Sequence, residues 1–140
     1  MRCVLDTNVV VAAMRSPRGA SAALLMAARQ ERITLVANVG LALEYEAVCC
    51  LPEHWLAAGL DRQQAETFID AVIAMVDPVE THFLWRPQLR DIADEFVLEA
   101  AVNGRATAIV TFNERDFRDA PARFGIEVLK PAQLLRRVVK

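Results

Sequence analysis

The sequence predicts an α/β fold in three layers, with a central parallel sheet of four or five strands between helices. Three observations carry that reading. Short apolar runs at Arg2 to Leu5, Ile33 to Ala37 and Thr107 to Thr111 suit strands buried on both faces. Longer stretches rich in Ala and Leu separate them and read as helices. Strand and helix signals alternate along the chain, as a parallel sheet covered on both faces requires.

After the first strand, Val9-Val10-Val11-Ala12-Ala13-Met14 forms a short helix, and Arg15-Ser16-Pro17-Arg18-Gly19 breaks it. Ser21 or Gly19 opens a second helix to about Arg29. Asn38 caps a helix that runs from the second strand toward Cys50, and Leu51-Pro52 closes it. Asp61 with Gln64 resembles a capping box for a helix through Val76. Val79 to Phe83 is a weaker strand candidate. Asp91 caps the next helix, which places Asp94 and Glu95 in its first turn and ends near Asn103-Gly104. Ile126 to Leu129 is the last strand, and Pro131 starts the last helix at its preferred first position.

Composition narrows the function classes. The 140 residues fit one domain over 1–140 with a sizeable core, and 54% hydrophobic content with a net charge of −2 argues against disorder. No apolar run is long enough to span a membrane. Asp6 interrupts the early apolar stretch, so no signal peptide is expected and the cytoplasm is the expected location. Cys3, Cys49 and Cys50 suggest small buried hydrophobes rather than a disulfide or zinc framework. His54 and His82 stand apart, which leaves no Ser-His-Asp arrangement. The sixteen basic residues are fourteen Arg and two Lys, so any nucleic-acid surface is a local patch of guanidinium groups.

The chemistry lies in four acids: Asp6, Glu44, Asp94 and Asp116. Asp6 follows the first strand, and Asn113 and Asp116 follow a later one, where open parallel sheets collect their ligands. Asp94 faces the same crevice only if its helix is suitably tilted. Carboxylates grouped without basic partners repel one another, and a hard divalent cation removes that cost. Glu44 and Glu46 both have apolar neighbours at helical spacing, and periodicity does not choose between them. Asp91 reads as an N-cap rather than a ligand, and Asp116 has the competing reading of a helix cap.

Four segments follow one another in an order that resembles PIN domains: Leu5-Asp6-Thr7-Asn8-Val9, Glu44-Tyr45-Glu46, Arg90-Asp91-Ile92-Ala93-Asp94, and Val110-Thr111-Phe112-Asn113-Glu114-Arg115-Asp116-Phe117. The chain is similar to the compact single-domain type found in toxins of VapBC toxin–antitoxin pairs, over nearly its whole length. The resemblance implies that Asp6, Glu44, Asp94 and Asp116 are the acidic quartet, choosing Glu44 over Glu46. It also implies supporting roles for Asn8 and Thr111. Many PIN domains carry an acid at the position of Asn113, so the amide here implies a weaker second-metal position.

The activity implied is metal-assisted hydrolysis of single-stranded RNA, with Mg²⁺ or Mn²⁺ held by Asp6 and Asp94 and a second ion or a water oriented by Asp116 and Glu44. A cognate antitoxin and a homodimer are the partners it implies. Arg15, Arg18, Arg86, Arg90, Arg115 and Arg118 lie near the acids in sequence and are candidate phosphate contacts. Trp55 and Trp85 suit core packing better than base stacking. The closing Arg136-Arg137-Val138-Val139-Lys140 suits a solvated helix end.

Three rivals compete. A receiver-like phosphosignalling domain matches at Asp6, Thr111 and Lys130-Pro131, but Val79 to Phe83 supplies no phosphoacceptor Asp. A haloacid-dehalogenase-like phosphatase needs a second Asp where Asn8 stands. A PIN-like protein that binds RNA or a partner with weak or no catalysis has only Asn113 in its favour.

Overall fold

The computed structural model describes residues 1–80, 89 and 91–139. Its elements are β1 (Arg2–Leu5), α1 (Thr7–Arg15), α2 (Ala20–Arg29), β2 (Thr34–Ala37), α3 (Val39–Cys49), α4 (Pro52–Ala57), α5 (Arg62–Met75), β3 (Val76–Pro78), α6 (Ile92–Asn103), β4 (Ala108–Val110), α7 (Ala120–Arg123), β5 (Glu127–Leu129) and α8 (Pro131–Val138). A 3-10 turn, Glu114–Phe117, follows β4.

Every strand pairing is parallel, in the order β3-β2-β1-β4-β5. The register sets Leu5 beside Val110 and Cys3 beside Leu35. Residues 3–5, 35–37 and 108–110 are all buried, as strands covered on both faces require. Pro78 sits at the end of edge strand β3, where its missing N–H breaks no central ladder. The chain steps from β1 outward to β3 and then crosses back to β4. Right-handed crossovers therefore put α1 and α3 on one face and α6 on the other.

This order differs from the 2-1-3-4-5 arrangement of receiver domains. It reverses direction between β1 and β4. The crevice at their carboxyl ends is the switch point at which such sheets bind ligands.

Most element boundaries fall within a residue or two of those expected, and three differences have physical causes. The third strand is Val76–Pro78, directly after α5, because Val76 already takes extended angles and Pro78 biases Asp77 the same way. Val79 and Glu80 belong to no strand, and the remainder of the segment expected there lies outside the described residues. Helix α4 was not expected. Pro52 does end α3, but it also occupies the first turn of α4, where its fixed φ is an advantage. Gly104 follows α6 as anticipated, yet its φ is −85° and the left-handed angle, +55°, falls on Arg105. What requires glycine at 104 is crowding: a Cβ would lie 2.7 Å from the Ala100 carbonyl oxygen and 2.9 Å from Val79 Cγ2.

One contiguous core joins the sheet to α1, α2, α3, α5 and α6. Cys3 and Cys49 are buried within it as free thiols, and burial pushes each up to about 12. Trp55 packs against the core and donates from Nε1 to the Cys50 carbonyl at 3.1 Å. Among the described residues no helix is long and apolar enough to cross a membrane.

Tyr45 connects core and crevice. Its ring is buried in α3, and its hydroxyl donates to the Leu5 carbonyl immediately before Asp6. The Tyr45→Phe variant should lose about 1–3 kcal/mol of stability, since that carbonyl loses its side-chain donor. Urea unfolding with an unchanged m-value checks this.

Candidate active site

Asp6 is the first residue after β1 and the N-cap of α1. Its backbone N–H donates to the Val110 carbonyl at 2.8 Å, which continues the β1–β4 ladder by one residue. Asp6 is 8% exposed, and its carboxylate accepts two hydrogen bonds, from the Thr7 N–H at 2.8 Å and from the Thr111 hydroxyl at 2.7 Å. Thr111 is fully buried at the end of β4. Its Oγ1 also accepts from the Asn113 N–H at 3.0 Å and, more loosely, from Asn8 Nδ2 at 3.4 Å. Asn8 Oδ1 in turn faces the Phe112 N–H at 3.4 Å. Asn8, Thr111 and Asn113 thus form one network that fixes Asp6 across the β1–β4 seam.

Glu44 and Asp94 come from helices on opposite faces of the sheet. Asn38, the N-cap of α3, brings them to the same rim. Its Oδ1 accepts from Leu41 N–H at 2.9 Å, and its Nδ2 donates to the Phe96 carbonyl of α6 at 3.0 Å. Gly40 lets the helices close further, because a Cβ there would stand 2.9 Å from the Phe96 ring. Helix α6 leads into a parallel strand, so it runs against the strands and its first turn lies at their carboxyl edge. Asp91 caps it through Ala93 N–H at 2.9 Å, and Glu95 accepts from Leu89 N–H just upstream. Asp116 lies inside the 3-10 turn, whose N-cap is Asn113, and the next helix has Asp119 at its N-cap, which removes the reading of Asp116 as a helix cap.

The electrostatics join these residues. Burial raises the Asp6 carboxyl, and Asp116 and Asp91 raise it further against the pull of Thr111 and the Thr7 N–H. Burial, Asp6 and Asp91 raise Glu44. Asp94 is pushed up to about 7, first by burial and then by Asp6, Asp116, Asp91 and Glu44. Asp91 is therefore a fifth negative charge as well as an N-cap. Among the described residues none of Asp6, Glu44, Asp94 and Asp116 forms an ion pair, whereas Arg2, Arg62, Arg123 and Arg137 each pair with an acid elsewhere.

The donor set is all carboxylate oxygen, crowded and without compensating cations, which suits a hard divalent ion. As placed, no three His, Cys, Asp or Glu side chains among the described residues are arranged to hold one. Mutual repulsion favours such spreading for the acids alone. Thr7 Oγ1, next to Asp6, is buried with no hydrogen-bond partner.

The candidate arginines fall in different places. Arg115 is exposed and lines a concavity of about 440 Å³ with Asn113, Asp116 and Lys130. Arg118 is exposed just beyond, with φ +50°. Arg15 ends α1 about 13 Å along its axis from Asp6, and its guanidinium lies 3.4 Å from His54 Nδ1. Arg18 is exposed in the loop that follows. Arg86, Arg90 and Trp85 lie outside the described residues. Sequence reasoning passed over Thr7, the second bond of Asn38, Tyr45 and Lys130. Adjacency to Asp6 was the available signal for Thr7, while the others depend on contacts between distant segments.

A family model for the PIN domain matches residues 2–115. Among solved structures, the chain is similar to one from Rickettsia felis VapBC2 bound to a DNA fragment from their promoter. The TM-score is 0.60 at 14% identity, over 93% of this chain and 98% of that one. No curated protein matches.

The raised carboxyls make a prediction for pH. In the folded protein Asp94 titrates near 7, above its ordinary value of 3.8, so the native state holds the extra proton between those limits. Its contribution to stability is present in acid and is lost as pH rises toward and through 7. Metal-free protein should therefore show a falling Tm from about pH 4 to pH 8. Asp94→Asn should flatten that slope, and Mn²⁺ should raise Tm most at the alkaline end. Thermal unfolding across pH in chelator and in Mn²⁺ reads both effects.

Proposed function

The chain belongs to the PIN domain family, and on that premise we propose that it is a metal-dependent endoribonuclease acting on single-stranded RNA as one domain over 1–140. PIN domains are generally nucleases, which supports hydrolase chemistry. The observation that carries the finer reading is the environment of Asp94: a partly buried carboxyl whose acting charges, Asp6, Asp116, Asp91 and Glu44, are all negative. An uncompensated acidic cluster at a sheet switch point is destabilising for the protein alone and useful for holding a cation against a phosphodiester.

Asp6 and Asp94 would hold Mg²⁺ or Mn²⁺, with Asp116 and Glu44 completing that position or a second one. Bound there, the ion would neutralise charge on the phosphate and acidify a water. The chain's own groups orient the site. Thr111 accepts from the Asn113 N–H and directs its own proton to Asp6 Oδ2, which leaves Asp6 Oδ1 to the Thr7 N–H and both oxygens fixed in direction. Arg115 and Lys130, which line one concavity with Asp116, would meet phosphates flanking the scissile bond. Arg18, Arg118, Arg86 and Arg90 are further candidates for the strand's path, and Arg15 a more distant one.

The VapBC2 likeness supports a role as the toxin of a type II toxin–antitoxin pair, in the cytoplasm, with a small antitoxin that covers the crevice and a homodimer as the working form. The alternative, a PIN-like binder with weak or no catalysis, rests on Asn113, an exposed amide that makes no cap bond where many relatives carry an acid.

Wild-type protein with Mg²⁺ or Mn²⁺ should cleave single-stranded RNA to products with 5′-phosphate and 3′-hydroxyl ends. Asp6→Asn and Asp94→Asn should each lower the rate at least about 100-fold, the scale of losing a group that acts only in the transition state, and chelator should abolish cleavage. Equal cleavage by all three proteins, or none by wild type across broad RNA substrates, overturns the proposal. Single-stranded DNA of the same sequence is the comparison that tests the sugar preference.

A further inference from the structure

Thr7 presents a buried polar atom that the fold does not use. It is 6% exposed, and its Oγ1 has no hydrogen-bond partner. A buried hydroxyl left unpaired carries the full desolvation cost of the group. Valine has nearly the same shape without that cost, and α1 already places Val9, Val10 and Val11 in its next turn. Local structure does not require the hydroxyl either. Thr7 is the first residue of α1, and the N-cap function belongs to Asp6, whose carboxylate takes the Thr7 backbone N–H rather than its side chain.

Among the described residues the hydroxyl acts on Glu44. The Thr7 side chain lowers the Glu44 carboxyl against burial and the charges of Asp6 and Asp91. No formed hydrogen bond joins the two groups in the cation-free protein. Helices α1 and α3 pack against each other, and Tyr45, next to Glu44, is anchored on Leu5 at the root of α1. The Glu44 side chain is only half-buried, which leaves it room to turn.

We propose that Thr7 is a positioning residue, whose buried hydroxyl donates to Glu44 and holds that carboxylate at the acidic crevice when a divalent cation is bound. The inference rests on the metal-dependent reading above and goes beyond it by assigning Thr7. It accounts for a threonine at a position where valine would be the more stable choice. In the cation-free protein the hydroxyl is unpaired. In the bound protein the carboxylate is drawn inward, and the hydroxyl gains its acceptor.

The test uses the full chain with Mn²⁺ alone, followed by titration calorimetry, alongside thermal unfolding in chelator. Thr7→Val should bind Mn²⁺ roughly tenfold more weakly than wild type, the scale found for groups that orient metal ligands. Its Tm in chelator should equal or exceed that of wild type. Thr7→Ser keeps the hydroxyl and should restore Mn²⁺ affinity to within about twofold of wild type, on the same scale. Unchanged Mn²⁺ affinity in Thr7→Val, with Asp6→Asn still impaired, overturns the role of Thr7 and leaves the nuclease reading standing. Equal loss in Thr7→Ser and Thr7→Val also overturns it, because packing of the methyl would then be responsible. Absence of Mn²⁺ binding in wild type overturns both proposals.

Discussion

Burial of the Asp6 carboxylate at the β1–β4 seam is the constraint around which the rest of the site is arranged. A carboxylate on a residue only 8% exposed needs compensation. Here it comes from one backbone N–H and one hydroxyl, not from a counter-charge. That choice has consequences in both directions along the chain. Thr111 must be buried and held in a single orientation, so its oxygen takes the Asn113 N–H, and the turn carrying Asp116 starts at a fixed place. On the other side, Leu5 must not drift, and Tyr45 reaches over from α3 to bind its carbonyl. Neutral donors stabilise the ionised carboxylate without cancelling its charge. A guanidinium would cancel it.

The other half of the site depends on the meeting of two helices from opposite sheet faces. Nothing in the strand ladder sets the distance between α3 and α6. Asn38 does, by capping its own helix with one end of its amide and binding α6 with the other. Gly40 adds the close approach that any side chain would prevent. Glu44 and Asp94 thereby become electrostatically coupled even though each lies on a different layer. One polar side chain and one absent side chain carry out this placement, and both lie within three residues of the end of β2.

These features explain how much could be read in advance. The sheet was legible because strands buried on both faces are continuously apolar, and the caps Asn38, Asp61 and Asp91 were legible because an N-cap is a local event. The four acids were proposed from sequence order alone, while the fold of the matched family agrees with the parallel sheet expected. The strand order was not legible, since it depends on which runs pair across more than a hundred residues, as Cys3 and Ala108 do. Helix α4 escaped because Pro52 serves equally as a stop and a start. Asp91 was read only as a cap, since periodicity says nothing of charges converging from other elements. The buried, unpaired state of Thr7 is likewise a property of packing, invisible in the string Leu5-Asp6-Thr7-Asn8.

The distribution of arginines follows from the same electrostatics. Fourteen arginines would suffice to neutralise a handful of acids. Among the described residues the ion pairs they form lie at Asp77, Glu66, Asp119 and Glu127, away from the crevice. Those surface pairs are each worth little, about 0–1 kcal/mol. Moving one guanidinium beside Asp94 would do more for folding, because it would relieve several repulsions at once. On the proposed reading it would also stand where the divalent cation is held, and affinity for that ion would shrink by the same interaction. The raised carboxyl of Asp94 would, on that reading, be the folded protein's reserve of binding energy. If the site is metal-dependent as proposed, stability forgone by the acids alone would return with a bound cation, and the continuous core tolerates the cost meanwhile.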